Sequence, residues 1–298
     1  MQMIVNGIVA GQLLVNESLA NYTSWRVGGS AEQLFIPENK SGLCAFITQL
    51  AGSSDLFWMG LGSNLLVRDG GIAGVVINTR GRLKQMHLLD TLSLYVEVGV
   101  PCAHVARFCA EQGLVGAEFL AGIPGTMGGA LKMNAGAFNG STWDLISSVE
   151  TINNMGVVRQ RAAKEFTVHY RSIDGLGDEW FLAATLTLQK GDTKASQEKI
   201  KQLLAKRAQT QPTNQPSCGS VFKNPDGDYA ARLIEAAGLK GYSIGGACVS
   251  DKHANFIVNT GAATAADIEA LIETIQQQVE VKYGVKLQTE VCRVGRLK

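Results

Sequence analysis

The chain has 298 residues, with 27 Lys and Arg against 26 Asp and Glu, a balance that supplies no broad positive field for nucleic acid or an anionic membrane. That length gives two or three domains enough chain to bury a core each, without help from a disulfide or structural metal. Cys44, Cys102, Cys109, Cys218, Cys248 and Cys292 are widely spaced, and His87, His104, His169 and His253 lack ligand spacing, so reduced thiols and no metal site are expected.

Residues 1–11 show no basic start followed by a long apolar run, and no 18-residue uncharged apolar stretch occurs, so a soluble cytoplasmic protein is expected. From Asn39 a helical pattern (Leu43, Phe46, Ile47, Leu50) leads to an apolar strand at Leu56–Met59, a glycine turn and a further strand at 74–77. Leu92, Leu94, Val96 and Val98 alternate with polar residues as in a half-buried strand, and 102–112 reads as a helix stopped by Gly113. Strands are expected at Ile146–Asn153, 156–160 and 180–189, the last with Phe181, Ala183, Thr185 and Thr187 on one side. This mixture argues for an α+β or α/β domain.

Residues 196–208 predict a charged helix with Ile200, Leu203 and Leu204 inward, and 209–216, with two prolines, marks the main boundary near residue 210. Beyond it a short helix spans 229–237 and closes at Gly238. Thr264 is the expected N-cap of a helix with the stripe Ile268, Leu271, Ile272, Ile275 and Val279, ended by Gly284. The tail 285–292 alternates as a strand with Gln288, Glu290 and Cys292 on one face.

Three segments carry chemistry. Gly60-Leu61-Gly62-Ser63-Asn64 follows a strand and would let main-chain N–H groups approach a phosphate, although an ordinary turn reads the same way. Leu65 stands where G-x-G-x-x-G needs its third glycine, and the chain has no P-loop. Gly122-Ile123-Pro124-Gly125-Thr126-Met127-Gly128-Gly129-Ala130, continued by Asn134-Ala135-Gly136, combines bendable backbone with an apolar wall and fits either a cofactor loop or a tight core crossover. Pro216-Ser217-Cys218-Gly219-Ser220-Val221-Phe222-Lys223-Asn224-Pro225 offers a hydroxyl, a cation and an amide, or alternatively a polar turn. No G-x-S-x-G elbow surrounds Ser220, which disfavours a hydrolase. Arg171 is either a carboxylate clamp or a solvated arginine, and Glu290 either a paired or reacting carboxylate or an edge-strand charge.

With Thr23-Ser24-Trp25-Arg26-Val27-Gly28-Gly29, Tyr170-Arg171-Ser172 and Thr289-Glu290-Val291, these segments resemble the UDP-N-acetylenolpyruvoylglucosamine reductase family over nearly the whole chain. The resemblance implies an α+β fold: a two-subdomain FAD-binding domain of the vanillyl-alcohol-oxidase (PCMH) type, 1–82 and 83–209, and a smaller α+β substrate domain, 210–298. It implies an oxidoreductase of bacterial peptidoglycan precursor synthesis, and so of cell-wall biogenesis, cell shape and division. NADPH would reduce non-covalent FAD, and flavin N5 would pass hydride to the enolpyruvyl group of UDP-N-acetylglucosamine enolpyruvate, giving UDP-N-acetylmuramate. Ser220 would then donate the proton, with Arg171 and Glu290 assisting. Gly60, Leu61, Gly62, Ser63, Asn64, Gly122, Ile123, Pro124, Gly125, Thr126, Gly128, Gly129, Asn134, Ala135 and Gly136 would hold FAD, and Lys223, Asn224 and Gln288 the substrate. A monomer without nucleic-acid or membrane partners is expected.

The inserted tyrosine segment of larger members is missing between the 180–189 strand and the next helix, so the chain resembles the compact subgroup, and Phe138 stands where many members have tyrosine. The rival readings are another FAD oxidase or dehydrogenase on the same scaffold, and a non-catalytic nucleotide-binding protein. Many flavin oxidases tether FAD through His or Cys, which neither glycine run contains, and a passive binder would not need Ser220, Arg171 and Glu290 together.

Overall fold

Two apolar cores organise the chain in a computed structural model that describes residues 10–298; the expectation for residues 1–9 lies outside the described residues. The first unit comprises residues 10–15, 33–61 and 74–206, the second residues 16–32, 62–73 and 207–298. Consecutive elements are β1 (Gly11–Ser18), β2 (Ser30–Pro37), α1 (Lys40–Leu50), β3 (Leu56–Met59), β4 (Leu65–Val67) and β5 (Ile72–Asn78). Strands pair in the order β1-β2-β5-β3, with β3 parallel to β5. Asn39 caps α1 by accepting from the Gly42 amide at 2.9 Å, and Leu43, Phe46 and Ile47 are buried on its inner face.

Next come β6 (Met86–Leu88), β7 (Ser93–Glu97), α2 (Cys102–Glu111), β8 (Leu114–Val115), α3 (Met127–Lys132), β9 (Gly136–Ala137), β10 (Gly140–Ser141) and β11 (Ile146–Asn153). They are followed by β12 (Val158–Ala162), β13 (Thr167–His169), β14 (Ser172–Asp174), β15 (Glu179–Thr187), β16 (Gln189–Lys190) and α4 (Thr193–Thr210). An antiparallel sheet runs β12-β11-β15-β7-β6, with α3 against β7 and β15. Trp143, Phe166 and Phe181 form an aromatic cluster in its core.

In the second unit stand α5 (Ala230–Ala236), β17 (Ser243–Ile244), β18 (Ala247–Val249), β19 (Ile257–Asn259), α6 (Ala265–Tyr283) and β20 (Cys292–Val294). β17, β18 and β19 form an antiparallel sheet under α6, and β20 pairs in parallel with β4. Thr264 and Asp267 close a capping box on α6, its expected stripe is fully buried, and Gly284 ends it at φ 69°. The early segments are fastened by long-range bonds. Trp25 Nε1 donates to the Ile257 carbonyl at 2.7 Å, and Asn259 Nδ2 to the Trp25 carbonyl at 2.8 Å. Arg68 makes a forked ion pair with Glu269, and Asp69 accepts from the Ala265 and Ala266 amides at the start of α6.

Several boundaries differ from expectation for local reasons. The strand read at 156–160 starts at Val158, because Gly156 (φ 80°) belongs to the hairpin turn after β11. β15 buries Leu182, Ala184 and Leu186 as well as Phe181 and Ala183, since it lies mid-sheet between β11 and β7. Leu92 is partly exposed in a turn organised by Asp90, whose carboxylate accepts from the Leu92 and Ser93 amides. The helix expected at 196–208 starts earlier, at Thr193, with Asp192 Oδ1 accepting from the Ala195 amide. The expected strand 285–292 is replaced by irregular chain joined to Phe222 through one bridge at Thr289; regular pairing resumes only at Cys292. Its partner segment bends at Gly219 (φ 72°) and carries Pro225, which prevents a continuous ladder.

Glu118, only 4% exposed, anchors the turn that leads into the second glycine run. Its carboxylate accepts from Ser196 Oγ at 2.7 Å, Lys199 Nζ at 3.1 Å and the Gly116 amide at 3.2 Å. Burial pushes its pKa up, but these donors together outweigh burial and hold it below the ordinary glutamate value. A depressed folded pKa gives stability that is present above the unfolded value, about 4.3, and lost as pH falls through the folded pKa. Glu118→Gln is therefore expected to destabilise the protein by about 1–3 kcal/mol at neutral pH. Thermal melts should show the gap to the parent narrowing below about pH 4, and a constant gap down to pH 3 would refute the assignment.

Candidate active site

In the first unit the two glycine-rich runs touch. A Cβ on Gly60 would lie 2.5 Å from Thr126 Oγ1, so only glycine permits this approach. The second run is laid along the chain between β7 and α2: Cys102 N donates to Gly125 O, Met127 N to Val100 O and Gly128 N to Val98 O, at 2.9–3.0 Å. Ile123 is half-buried and Pro124 exposed, while Gly129 faces open space. Gly122 is covered by the Phe138 ring, 2.6 Å from where its Cβ would stand. Phe138 (φ 51°) and Asn139 (φ 66°) form the two-residue loop between β9 and β10, where both positions are left-handed.

Asn134 organises the end of the run. Its Oδ1 accepts from Ser141 Oγ and the Trp143 amide, both at 3.1 Å, and its Nδ2 donates to the His169 carbonyl at 3.0 Å. The Ala135 carbonyl is taken by Thr142 Oγ1 at 2.6 Å. Through His169 this network reaches the β13–β14 hairpin, whose two-residue tip is Tyr170-Arg171. Arg171 sits at φ 60°, half-buried, with Nη1 donating to the Gly136 carbonyl at 3.0 Å and its guanidinium 5.3 Å from the Tyr170 ring centre. Arg171 thus adjoins the glycine run expected to hold a cofactor.

The turn 60–63 has the donors a pyrophosphate needs. The Gly60 carbonyl accepts from Asn78 Nδ2 and the Gly62 carbonyl from the Ser24 amide, but among the described residues the amides of Gly60, Leu61, Gly62 and Ser63 have no protein acceptor. Glycine is obligatory at 62 as well: at φ 60° its Cβ would lie 2.3 Å from the Tyr22 carbonyl. Free N–H groups on a tightly apposed glycine turn suit an anionic phosphate bridge.

In the second unit the Ser220 segment is held from both sides. The Val221 amide donates to the Asn255 carbonyl at 2.9 Å, and Asn255 bonds the Phe222 amide and carbonyl through its side chain at 2.9 and 2.8 Å. On the other side the Val221 carbonyl accepts from the Glu290 amide at 2.8 Å and the Val291 amide at 3.3 Å, while Lys223 N donates to Gln288 O at 2.9 Å. Ser220 and Glu290, 70 positions apart in the chain, are thereby brought to adjacent backbone. Lys223 lies on the same stretch, and Asn224 Oδ1 accepts from the Ala230 amide at the start of α5. Gln288 is exposed. Cys218 is buried, with its thiol pushed up to about 12 by burial, which suppresses thiolate chemistry beside Ser220.

Gly60, Leu61, Gly122–Thr126, Gly128, Gly129, 134–136 and Arg171 thus fall in the first unit, and Gly62, Ser63, Asn64, Ser220, Lys223, Asn224, Gln288 and Glu290 in the second. Sequence reasoning missed Asn255, Thr126 as the neighbour of Gly60, and Phe138 as the cover of Gly122. It also gave Thr23–Gly29 no physical role, although Thr23 Oγ1 bonds the Val27 carbonyl and Trp25 is fully buried. Only the glycine and asparagine content of these stretches hinted at it.

Residues 31–160 match the family described as FAD binding domain, and residues 211–294 the C-terminal domain of UDP-N-acetylenolpyruvoylglucosamine reductase. The chain is 57% identical over 285 residues to UDP-N-acetylenolpyruvoylglucosamine reductase of Methylococcus capsulatus, covering 96% of this chain and 94% of that protein. It is 56% identical over 286 residues to the reductase of Legionella pneumophila strain Corby, covering 96% and 93%. The crystal structure of the Thermus caldophilus reductase superposes with a TM-score of 0.81 at 31% identity, over 95% of this chain and 98% of that one. The fold is therefore the expected α+β combination of an FAD-binding domain with a C-terminal domain of the reductase. With near-complete coverage on both sides, the chain belongs to the UDP-N-acetylenolpyruvoylglucosamine reductase family.

Proposed function

We propose that Ser220, Arg171 and Glu290 carry the proton chemistry of a flavin reductase. The protein is an FAD-dependent oxidoreductase that uses NADPH to reduce UDP-N-acetylglucosamine enolpyruvate to UDP-N-acetylmuramate for peptidoglycan. The observation that carries the residue assignment is the pair of amide bonds from Glu290 and Val291 to the Val221 carbonyl, next to Ser220.

FAD, when bound non-covalently, carries two electrons from NADPH to the enolpyruvyl double bond. The main-chain amides of 60–63 would hold its pyrophosphate, and the backbone of Asn64, whose side chain is turned to Glu290, would complete its seat together with Gly122–Thr126, Gly128, Gly129 and 134–136. Arg171, fixed by the Gly136 carbonyl, presents a planar cation to the substrate carboxylate and counters the charge that builds there. Ser220 gives its hydroxyl proton to the carbon beside that carboxylate, a step within reach of an alcohol because a carbon of enolate character is strongly basic. Glu290 lies beside the proton donor and orders the donor's surroundings. Lys223, Asn224 and Gln288 bind the substrate, the amide oxygen of Asn224 being already engaged with Ala230.

In this reading residues 1–82 and 83–209 are the two flavin-binding subdomains and 210–298 the substrate domain, in accord with family matches at 31–160 and 211–294. The enzyme works as a cytoplasmic monomer, where NADPH and a nucleotide-sugar substrate are both supplied. Among the described residues no helix is long and apolar enough to cross a membrane.

Two measurements test the reading. In an anaerobic visible spectrum, NADPH should bleach the flavin of Ser220→Ala as it does the parent's. Recovery on adding UDP-N-acetylglucosamine enolpyruvate should be slower on the order of a hundredfold or more; recovery at the parental rate would remove Ser220 from the chemistry. Gly60→Ala should overpack against Thr126, lower stability by about 1–3 kcal/mol and weaken FAD retention in fluorescence titrations. Unchanged FAD affinity would show that the contact between the runs does not shape the cofactor seat.

A further inference from the structure

The side chain of Asn64 is committed to the backbone at Glu290. Its Nδ2 donates to the Glu290 carbonyl at 3.1 Å, and its own carbonyl accepts from the Cys292 amide at 3.0 Å. Glu290 is therefore gripped at both ends of its main chain, the amide by Val221 and the carbonyl by Asn64. No regular strand spans 285–291, so these bonds take the place of a ladder in fixing where the carboxylate starts from.

Asn64 is itself anchored. It immediately precedes β4, which pairs residue by residue with β20, Leu65 opposite Cys292 through Val67 opposite Val294. Just past β4, Arg68 forks onto Glu269 at 2.8 and 3.0 Å, and Arg293 from β20 reaches the same carboxylate at 3.2 Å. Asp69 fastens the following turn to the first amides of α6. A side chain projecting from so braced a strand end holds a fixed position, which a donor on a loose loop would not.

We propose that Asn64 is a positioning residue for Glu290: its side-chain amide fixes the glutamate backbone, and hence the proton-delivering end of the site, while its main chain continues the 60–63 turn. This rests on the role of Glu290 proposed above. It predicts that loss of the amide damages the substrate half of the reaction far more than the NADPH half, because only the former uses the group that Asn64 places.

The test follows both half reactions of Asn64→Ala anaerobically by stopped flow, after FAD affinity has been measured by fluorescence. FAD binding and NADPH-driven flavin reduction should change by less than about threefold. Reoxidation by UDP-N-acetylglucosamine enolpyruvate should slow on the order of tenfold or more, part of the 10²–10⁴ attributed to positioned acid–base groups, with a displaced pH profile. Asn64→Gln should recover part of the loss by keeping the donor. Should Asn64→Ala fail to fold, the near-isosteric Asn64→Asp carries the test, since a carboxylate facing the Glu290 carbonyl must disturb the same step. Loss of FAD affinity with normal reoxidation of the FAD-saturated variant would overturn the proposal in favour of a cofactor ligand, and equal slowing of both halves would overturn it in favour of a general structural role. Glu290→Gln, run alongside, separates the two levels: parental reoxidation there sinks the role of Glu290 itself, whereas slow reoxidation there with a parental Asn64→Ala sinks only the positioning.

Discussion

The carbonyl of Val221 is the acceptor on which the chemistry proposed for the second unit depends. It takes the amides of both Glu290 and Val291, an arrangement a regular sheet does not use, and so joins the Ser220 segment to a tail that forms no strand there. Irregular backbone is admissible inside a protein only when its polar groups find partners one by one. Here the partners are specific: Asn255 on one side of Val221 and Phe222, the 288–291 chain on the other. Ser220 can stand free of any regular element because its neighbours are tied down so completely.

The first unit solves the same problem with the same residue type. Asn134 gives the end of the glycine run three bonds that no helix or strand supplies, to Ser141, Trp143 and His169. Glu118 does the equivalent at the run's beginning, where its carboxylate gathers Ser196, Lys199 and the Gly116 amide. Between these anchors the chain is bent around glycines whose Cβ atoms would strike Phe138, Val98 or the backbone. A seat for a large planar cofactor can then be made of loops without being soft.

What was legible in the sequence follows from this division of labour. α1 and α6 were read nearly to the residue, because capping side chains and a 3.6-residue apolar period are local signals. The tail 285–292 alternates like a strand and buries Leu287 and Val291, but its bent partner segment allows only one bridge there. Side-chain bonds to distant backbone, such as Asn64 to Glu290 across 226 positions or Asn259 to Trp25 across 234, have no period and no spacing to read. The site residues themselves were named because several rare segments occur in one order along the chain, which identifies a family without revealing why each residue is needed.

Two bulky residues in left-handed backbone bear on that last question. Arg171 (φ 60°) and Phe138 (φ 51°) each occupy the tip of a two-residue hairpin, where glycine or asparagine would avoid a penalty of about 1–2 kcal/mol. Both hairpins bear on the same glycine run: Phe138 lies over Gly122, and Arg171 bonds Gly136 at the far end. Strain of this kind persists where the surroundings over-determine the conformation and where the side chain, rather than the turn, is what the position supplies. For Phe138 the return is a ring that closes the approach to Gly122. For Arg171 it is a guanidinium whose location is set by a left-handed turn and the Gly136 carbonyl. A freely rotating arginine on an exposed strand would give the same charge but not the same place, and the carboxylate clamp proposed for Arg171 requires its fork in place before the substrate arrives.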